Sequence, residues 1–139
     1  MNRKIKFRGK TKVDFGNGNK EILIPKGTWI YGGIVFDDSE RIWIDMKYYG
    51  QILVDENTIG QYTGLHDKNG KEIYESDILE VSYQRASGVG YVEYDNNYCE
   101  YKIIINANKD YFSLWKDINL KKVGNIYDNP ELLGGKNGI

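Results

Sequence analysis

The sequence predicts an all-β protein made of short antiparallel strands. Three observations carry the prediction. Apolar residues recur with a period of two, and no segment sustains the 3.6-residue period of a helix. Turn residues interrupt the apolar runs every ten residues or so. The 139 residues include 12 Tyr and 16 Gly but only 2 Pro, a composition suited to strands and tight reversals. Strands of that length and spacing suit a barrel, roll or sandwich.

The elements follow in order. Over residues 3–15, Ile5, Phe7, Val13 and Phe15 occupy odd positions, while Lys4, Lys6, Arg8, Lys10 and Lys12 occupy even ones. On a strand these sets face opposite ways. Gly16-Asn17-Gly18-Asn19 breaks the run, because Gly and Asn tolerate positive φ. A short strand over Glu21–Ile24 stops at Pro25. The next runs from Trp29 to Phe36, with Gly32-Gly33 marking a bulge or a close backbone approach. Asp37-Asp38-Ser39-Glu40 is a polar turn, and Arg41–Met46 returns as the second arm of a hairpin. Gln51–Val54 is another short strand.

Thr58–Leu65 leads into Asp67-Lys68-Asn69-Gly70, where Asn-Gly predicts a type I′ hairpin with positive φ at both residues. Strands follow at Ile73–Tyr74 and Asp77–Tyr83, then a loop at Gln84–Gly88 and a strand at Val89–Tyr94. Asp95-Asn96-Asn97 turns the chain into Tyr98–Ile105. Tyr111–Trp115 and Lys121–Tyr127 are the last two strands. Asn129-Pro130-Glu131-Leu132-Leu133 reads as a helical turn, with Asn as its cap and Pro at its first position. The tail over residues 134–139 is expected to fray.

Composition narrows the function classes. A chain of 139 residues, 40% apolar and 28% charged, is long enough to bury a core without a disulfide or metal staple. Cys99 is the only cysteine, so no intrachain disulfide forms, and a lone thiol fits a reducing, cytoplasmic setting. No apolar run approaches the ~20 residues that span a bilayer. The basic N-terminus lacks the apolar stretch of a signal peptide. The net charge of −1 hides an asymmetry. Residues 1–12 hold six bases and no acid, so the remainder sets 13 bases against 20 acids.

That basic arm is the first candidate site. Lys4, Lys6, Arg8, Lys10 and Lys12 on one strand face suit a phosphate backbone, and Trp29, Trp43 and Trp115 suit base stacking if exposed. The competing reading is an edge strand kept soluble by Lys and Arg, with the tryptophans in the core. The acidic remainder favours the latter.

The other constellations are weaker. Asp67-Lys68-Asn69-Gly70 opens like a calcium loop, but the sixth and twelfth positions are Glu72 and Ile78 where Gly and Glu are required. His66, the only histidine, has only Cys99 as a zinc-type partner, so no metal is expected. Cys99 alternates with Tyr101 and Ile103 in an expected strand, which predicts a buried, inert thiol and not a nucleophile. Asp67, Glu72 and Asp77 could serve as an acid–base pair, against a reading in which they accept backbone N–H bonds at turns. No phosphate loop, dinucleotide fingerprint or nucleophile elbow is present, so no cofactor and no enzymatic activity are expected.

Three segments together resemble the YopX family: Ile5-Lys6-Phe7-Arg8 with Trp29-Ile30-Tyr31-Gly32; Gly60–Ile78; and Val123–Leu132. The resemblance covers nearly the whole chain. It implies a phage or prophage origin, without an assigned activity and without catalytic residues to carry over. It also implies an SH3-like β-barrel or roll, carried by the second half. Residues 60–133 are expected to form it, and residues 1–59 an N-terminal β-hairpin subdomain packed on it, either a flap or a small barrel of its own. Asn69-Gly70, Gly64 and Gly124 serve backbone geometry in this reading, and Leu132 closes the barrel. One departure stands out: Ser76 occupies a position where the family often has Gly, so a positive φ there would strain the backbone. The expected function is binding, foremost of a protein partner or of a second copy through exposed tyrosines. Nucleic-acid binding through the basic arm is the alternative, and a carboxylate-based enzyme the second.

Overall fold

The structure, a computed structural model, describes residues 3–16, 18–19, 21–105, 110–115 and 119–134. Asn17 of the first predicted turn and residues 135–139 of the predicted tail lie outside them. The chain divides into two compact units, residues 1–62 and 63–139. Both are built of antiparallel strands, and helix is confined to two short 3₁₀ turns among the described residues.

The first unit holds β1 (Phe7–Lys10), β2 (Phe15–Gly16), β3 (Ile22–Ile24), β4 (Trp29–Phe36), β5 (Ile42–Met46), β6 (Gly50–Leu53), a 3₁₀ turn (Glu56–Thr58) and the start of β7 (Gly60–His66). Strands β6, β5, β4 and β1 are neighbours in one sheet, and β2 pairs with β3. The β4–β5 hairpin forms as predicted, with Phe36 opposite Ile42. Its core is Ile24, Ile30, Ile44, Ile52 and Val54, one side of each alternating strand. A side chain at Gly32 would collide with the Asp45 carbonyl, so this glycine marks a close backbone approach.

One expectation fails here. β1 is not an edge strand. Its Phe7 and Arg8 pair with Gly32 and Tyr31 on one side and with Gln61 and Gly60 on the other. Lysines are therefore not there to block an open edge.

The second unit holds the rest of β7, then β8 (Glu72–Tyr74), β9 (Asp77–Tyr83), β10 (Ala86–Asp95), β11 (Glu100–Ile104), β12 (Tyr111–Ser113), β13 (Asn119–Asn125) and a 3₁₀ turn (Pro130–Leu133). The sheet order is β12-β11-β10-β9-β13. One face of it carries the core: Leu79, Val81, Val92, Ile103 and Leu120, joined by Ile73. Among the described residues the sheet stays open, because β12 and β13 end it without pairing to each other. The closed barrel implied by the resemblance is therefore not formed, and Leu132, assigned to close it, is exposed.

Local corrections have local causes. Gln84 takes φ 53° itself, so β9 and β10 join through two residues, and β10 begins earlier than the expected loop allowed. At Asn69-Gly70 only Gly70 has positive φ, so the turn is not type I′. The Gly70 N–H instead donates to the Asp67 carbonyl, and Gly70 follows as a left-handed residue. Ser76 adopts φ 72°, the strained geometry its motif position foreshadowed. Asn129 makes no side-chain cap; its Oδ1 accepts from the Asn125 N–H instead. A Cβ at Gly124 would lie 2.5 Å from that Asn129 oxygen, which is why this position is glycine.

Candidate functional site

The basic arm of the first unit is partly absorbed by the fold. Arg8 is only 2% exposed, with its guanidinium 4.6 Å above the Trp29 ring. Lys10 lies 5.4 Å over the same ring, and Lys6 lies 5.4 Å over Tyr62. These contacts use the cations to cover aromatic faces. Lys4 and Lys12 are exposed, but β1 ends at Lys10, so the five bases do not form one continuous strand face. Lys10 and Lys12 instead line a cleft of about 500 Å³ together with Lys26, Asp55 and Glu56.

The three acidic residues singled out in sequence lie in the second unit and meet at Lys122, which sequence reasoning missed: Asp67 and Asp77 through their carboxylates, Glu72 through its backbone carbonyl. The Lys122 N–H donates to Asp67 Oδ2 at 2.9 Å. Its Nζ lies 3.0 Å from Asp77 Oδ2 and donates to the Glu72 carbonyl at 3.1 Å. Asp77 is fully buried and accepts from the Tyr74 N–H at 2.7 Å. Asp67 also accepts from the N–H groups of Asn69 and Lys71. Burial raises the Asp67 pKa, but the three backbone donors outweigh it and hold the carboxyl below its ordinary range. The arrangement is a clasp between the β7–β8 turn and β13. It fits the turn-bonding reading of Asp67 and Asp77, whereas the Glu72 carboxylate accepts from the Tyr74 hydroxyl.

Cys99 is exposed, against expectation. The Asp95 turn extends through it: Asp95 Oδ1 accepts from the Asn97 and Tyr98 N–H groups, and Cys99 takes φ 55° before β11 starts. His66 is exposed at the end of β7. Trp29 and Trp43 are half-buried, whereas Trp115 is 48% exposed and tilts against Tyr83. Among the described residues no three His, Cys, Asp or Glu gather as metal ligands, and no helix is long and apolar enough to cross a membrane.

Two of the exposed tyrosines, Tyr98 and Tyr111, form an organised group. Lys102, only 8% exposed, ion-pairs with Asp95 and lies 4.0 Å from Glu100. Its Nζ sits 3.9 Å from the centre of the Tyr111 ring and 5.1 Å from that of Tyr98. The hydrogen bond to Asp95 raises the Lys102 pKa and lowers that of Asp95, so both stay charged through the neutral range. Two tyrosines, 74% and 51% exposed, are thus braced on a buried ammonium. Lys102 alternates with Tyr101 and Ile103 in a strand, and that period hid its role in the sequence.

A sequence model of the family described as YopX protein matches residues 27–134. No curated protein matches the chain.

Proposed function

The chain belongs to the YopX protein family, and from that premise we propose that it is a binding module whose partner is another protein. The observation that carries this reading is the Tyr98–Tyr111 pair. Tyrosine supplies large contact area at little entropic cost, and rings already held on Lys102 lose less freedom when a partner covers them. Anchors of this kind dominate protein interfaces. The phage or prophage origin implied by the resemblance makes a bacterial host protein, or a second copy of the chain, the partner class. The carboxylates support a binding role over an enzymatic one, because Asp67 and Asp77 hold backbone N–H groups and Lys122.

The test combines light scattering over a concentration series with retention of host-lysate proteins. It compares the parent chain, the Tyr98→Ala/Tyr111→Ala double variant and a Tyr48→Ala control in the first unit. A complex kept by the control and lost by the double variant is the expected result. A strict monomer that retains nothing, or a complex indifferent to both tyrosines, would overturn the reading.

One observation favours nucleic acid as a second reading: the cleft shared by Lys10, Lys12 and Lys26. Fluorescence anisotropy with single- and double-stranded probes would then show affinity falling steeply with salt, and a flatter slope in Lys10→Gln/Lys12→Gln/Lys26→Gln. No binding at low salt removes it.

A further inference from the structure

The face of the second unit's sheet opposite its core carries a cleft that the tyrosine pair does not use. Strand register places Asn119, Ser82 and Ser87 in one row across β13, β9 and β10, and Lys121, Glu80 and Val89 in the next. Adjacent strands lie about 4.8 Å apart, so the first row presents three polar side chains at that interval and the second presents two beside Val89. Lys68, on the turn whose N–H bonds to the Leu120 carbonyl, closes one side. The cleft measures about 340 Å³, at the small end of ligand sites.

Two features specify a ligand. Among the described residues, none of the six polar side chains (Lys68, Glu80, Ser82, Ser87, Asn119, Lys121) makes a hydrogen bond or ion pair within the protein. Elsewhere in this unit Asp67, Asp77 and Asp95, the buried Lys102 and the half-buried Lys122 all have partners. The charge balance is also inverted. Two ammonium groups face one carboxylate here, in a unit with 12 acids and 9 bases overall. Two cations call for an anion, and a row of two hydroxyls and an amide beside a carboxylate calls for a ligand rich in hydroxyl groups.

We propose that this cleft binds a phosphate monoester of a small polyol. Lys68 and Lys121 neutralise the phosphate, while Ser82, Ser87, Asn119 and Glu80 take the hydroxyls. The volume suits a single sugar phosphate and excludes a dinucleotide. Neither unit's stability depends on these exposed side chains, so substitution leaves the fold intact.

The experiment is a titration of the isotope-labelled chain followed by amide resonances, with ribose 5-phosphate as probe and with ribose and inorganic phosphate as separate controls. The expected result is saturable shifts in residues 80–89 and 119–121 with ribose 5-phosphate, and binding at least tenfold weaker for either fragment. Lys68→Gln/Lys121→Gln should weaken ribose 5-phosphate binding by about tenfold or more while leaving all remote resonances in place. No saturable shift at these residues overturns the proposal. Equal binding of inorganic phosphate overturns it too, by reducing the cleft to a general anion site. Both outcomes leave the tyrosine-pair reading untouched, because Tyr98 and Tyr111 lie outside the cleft.

Discussion

The two units each contain a hairpin turn headed by an aspartate, and the two turns are built alike. In the first, Asp37 Oδ1 accepts from the N–H groups of Ser39 and Arg41. In the second, Asp67 Oδ1 accepts from those of Asn69 and Lys71. In both, the fourth residue is left-handed and donates its N–H to the aspartate carbonyl: Glu40 at φ 61°, Gly70 at φ 82°. They differ in what the second carboxylate oxygen does. Asp37 Oδ2 takes the Trp43 indole N–H and the Arg41 Nε, both within its own hairpin. Asp67 Oδ2 takes the Lys122 N–H from a strand 55 residues away. One carboxylate stabilises a local turn, whereas the other also ties a distant edge strand to it.

The largest expected effect tests that difference. Asp67→Ala leaves three backbone N–H groups without their acceptor, in a site only 6% exposed. We expect a loss of about 3 kcal/mol, since each orphaned buried donor costs ~1–3 kcal/mol. Asp37→Ala frees groups that water can reach, and should cost markedly less. Urea unfolding combined with amide exchange, read separately in each unit, measures both. Equal losses would mean that the clasp onto β13 contributes nothing.

Next comes the left-handed position. Gly70→Ala forces a Cβ into positive φ and should destabilise by about 1–2 kcal/mol. Glu40→Gly runs the other way and should stabilise by roughly 0.5–1 kcal/mol, as should Ser76→Gly at φ 72°. The Ser76 substitution would also remove the oxygen 3.4 Å from the Tyr127 hydroxyl, so its gain should be the smaller of the two. Thermal melts of the three variants settle the order.

The pairing of turns shows how far the sequence could be read. Both reversals were legible, because Asp, Asn, Ser and Gly cluster between alternating runs. Their carboxylate geometry was legible too in principle: an Asp opening a turn accepts the N–H two residues on. The pattern Asp-x-x-Glu/Gly-Arg/Lys at residues 37–41 and 67–71 repeats that rule. What stayed hidden depends on residues far apart in the chain. Nothing local shows that Lys122 meets Asp67 and Asp77, or that β1 has neighbours on both sides and buries Arg8. Cys99 was misread because a strand period was extended through a turn whose fourth residue, Tyr98, belongs to a bracing pair with Tyr111. The open edge strands likewise follow from pairing, which period-two alternation does not encode.

The smallest expected effects concern protons and one ion pair. The Trp43 indole N–H is the main reason that the Asp37 pKa falls from 3.8 to about 2, with the Arg41 and Ser39 donors adding to it. A depressed carboxylate pKa stabilises the folded state above the unfolded value, and that contribution disappears as pH falls through the folded value. The first unit should therefore weaken between about pH 4 and pH 2. Asp67 is also depressed, so the second unit should weaken on the same side of pH 4. Trp43→Phe removes the leading donor and should move the Asp37 titration back toward 3.8, leaving Asp67 in place; carboxyl resonances followed against pH show this directly. Arg41→Ala should do far less. The Arg41–Asp37 pair is local and its guanidinium side is 54% exposed, so water and salt screen it. The indole sets the Asp37 pKa because it offers a fixed, half-buried donor, whereas the arginine offers a charge that solvent already dilutes. A larger shift from Arg41→Ala than from Trp43→Phe would reverse that ranking and make the first turn an electrostatic device, not a hydrogen-bonded one.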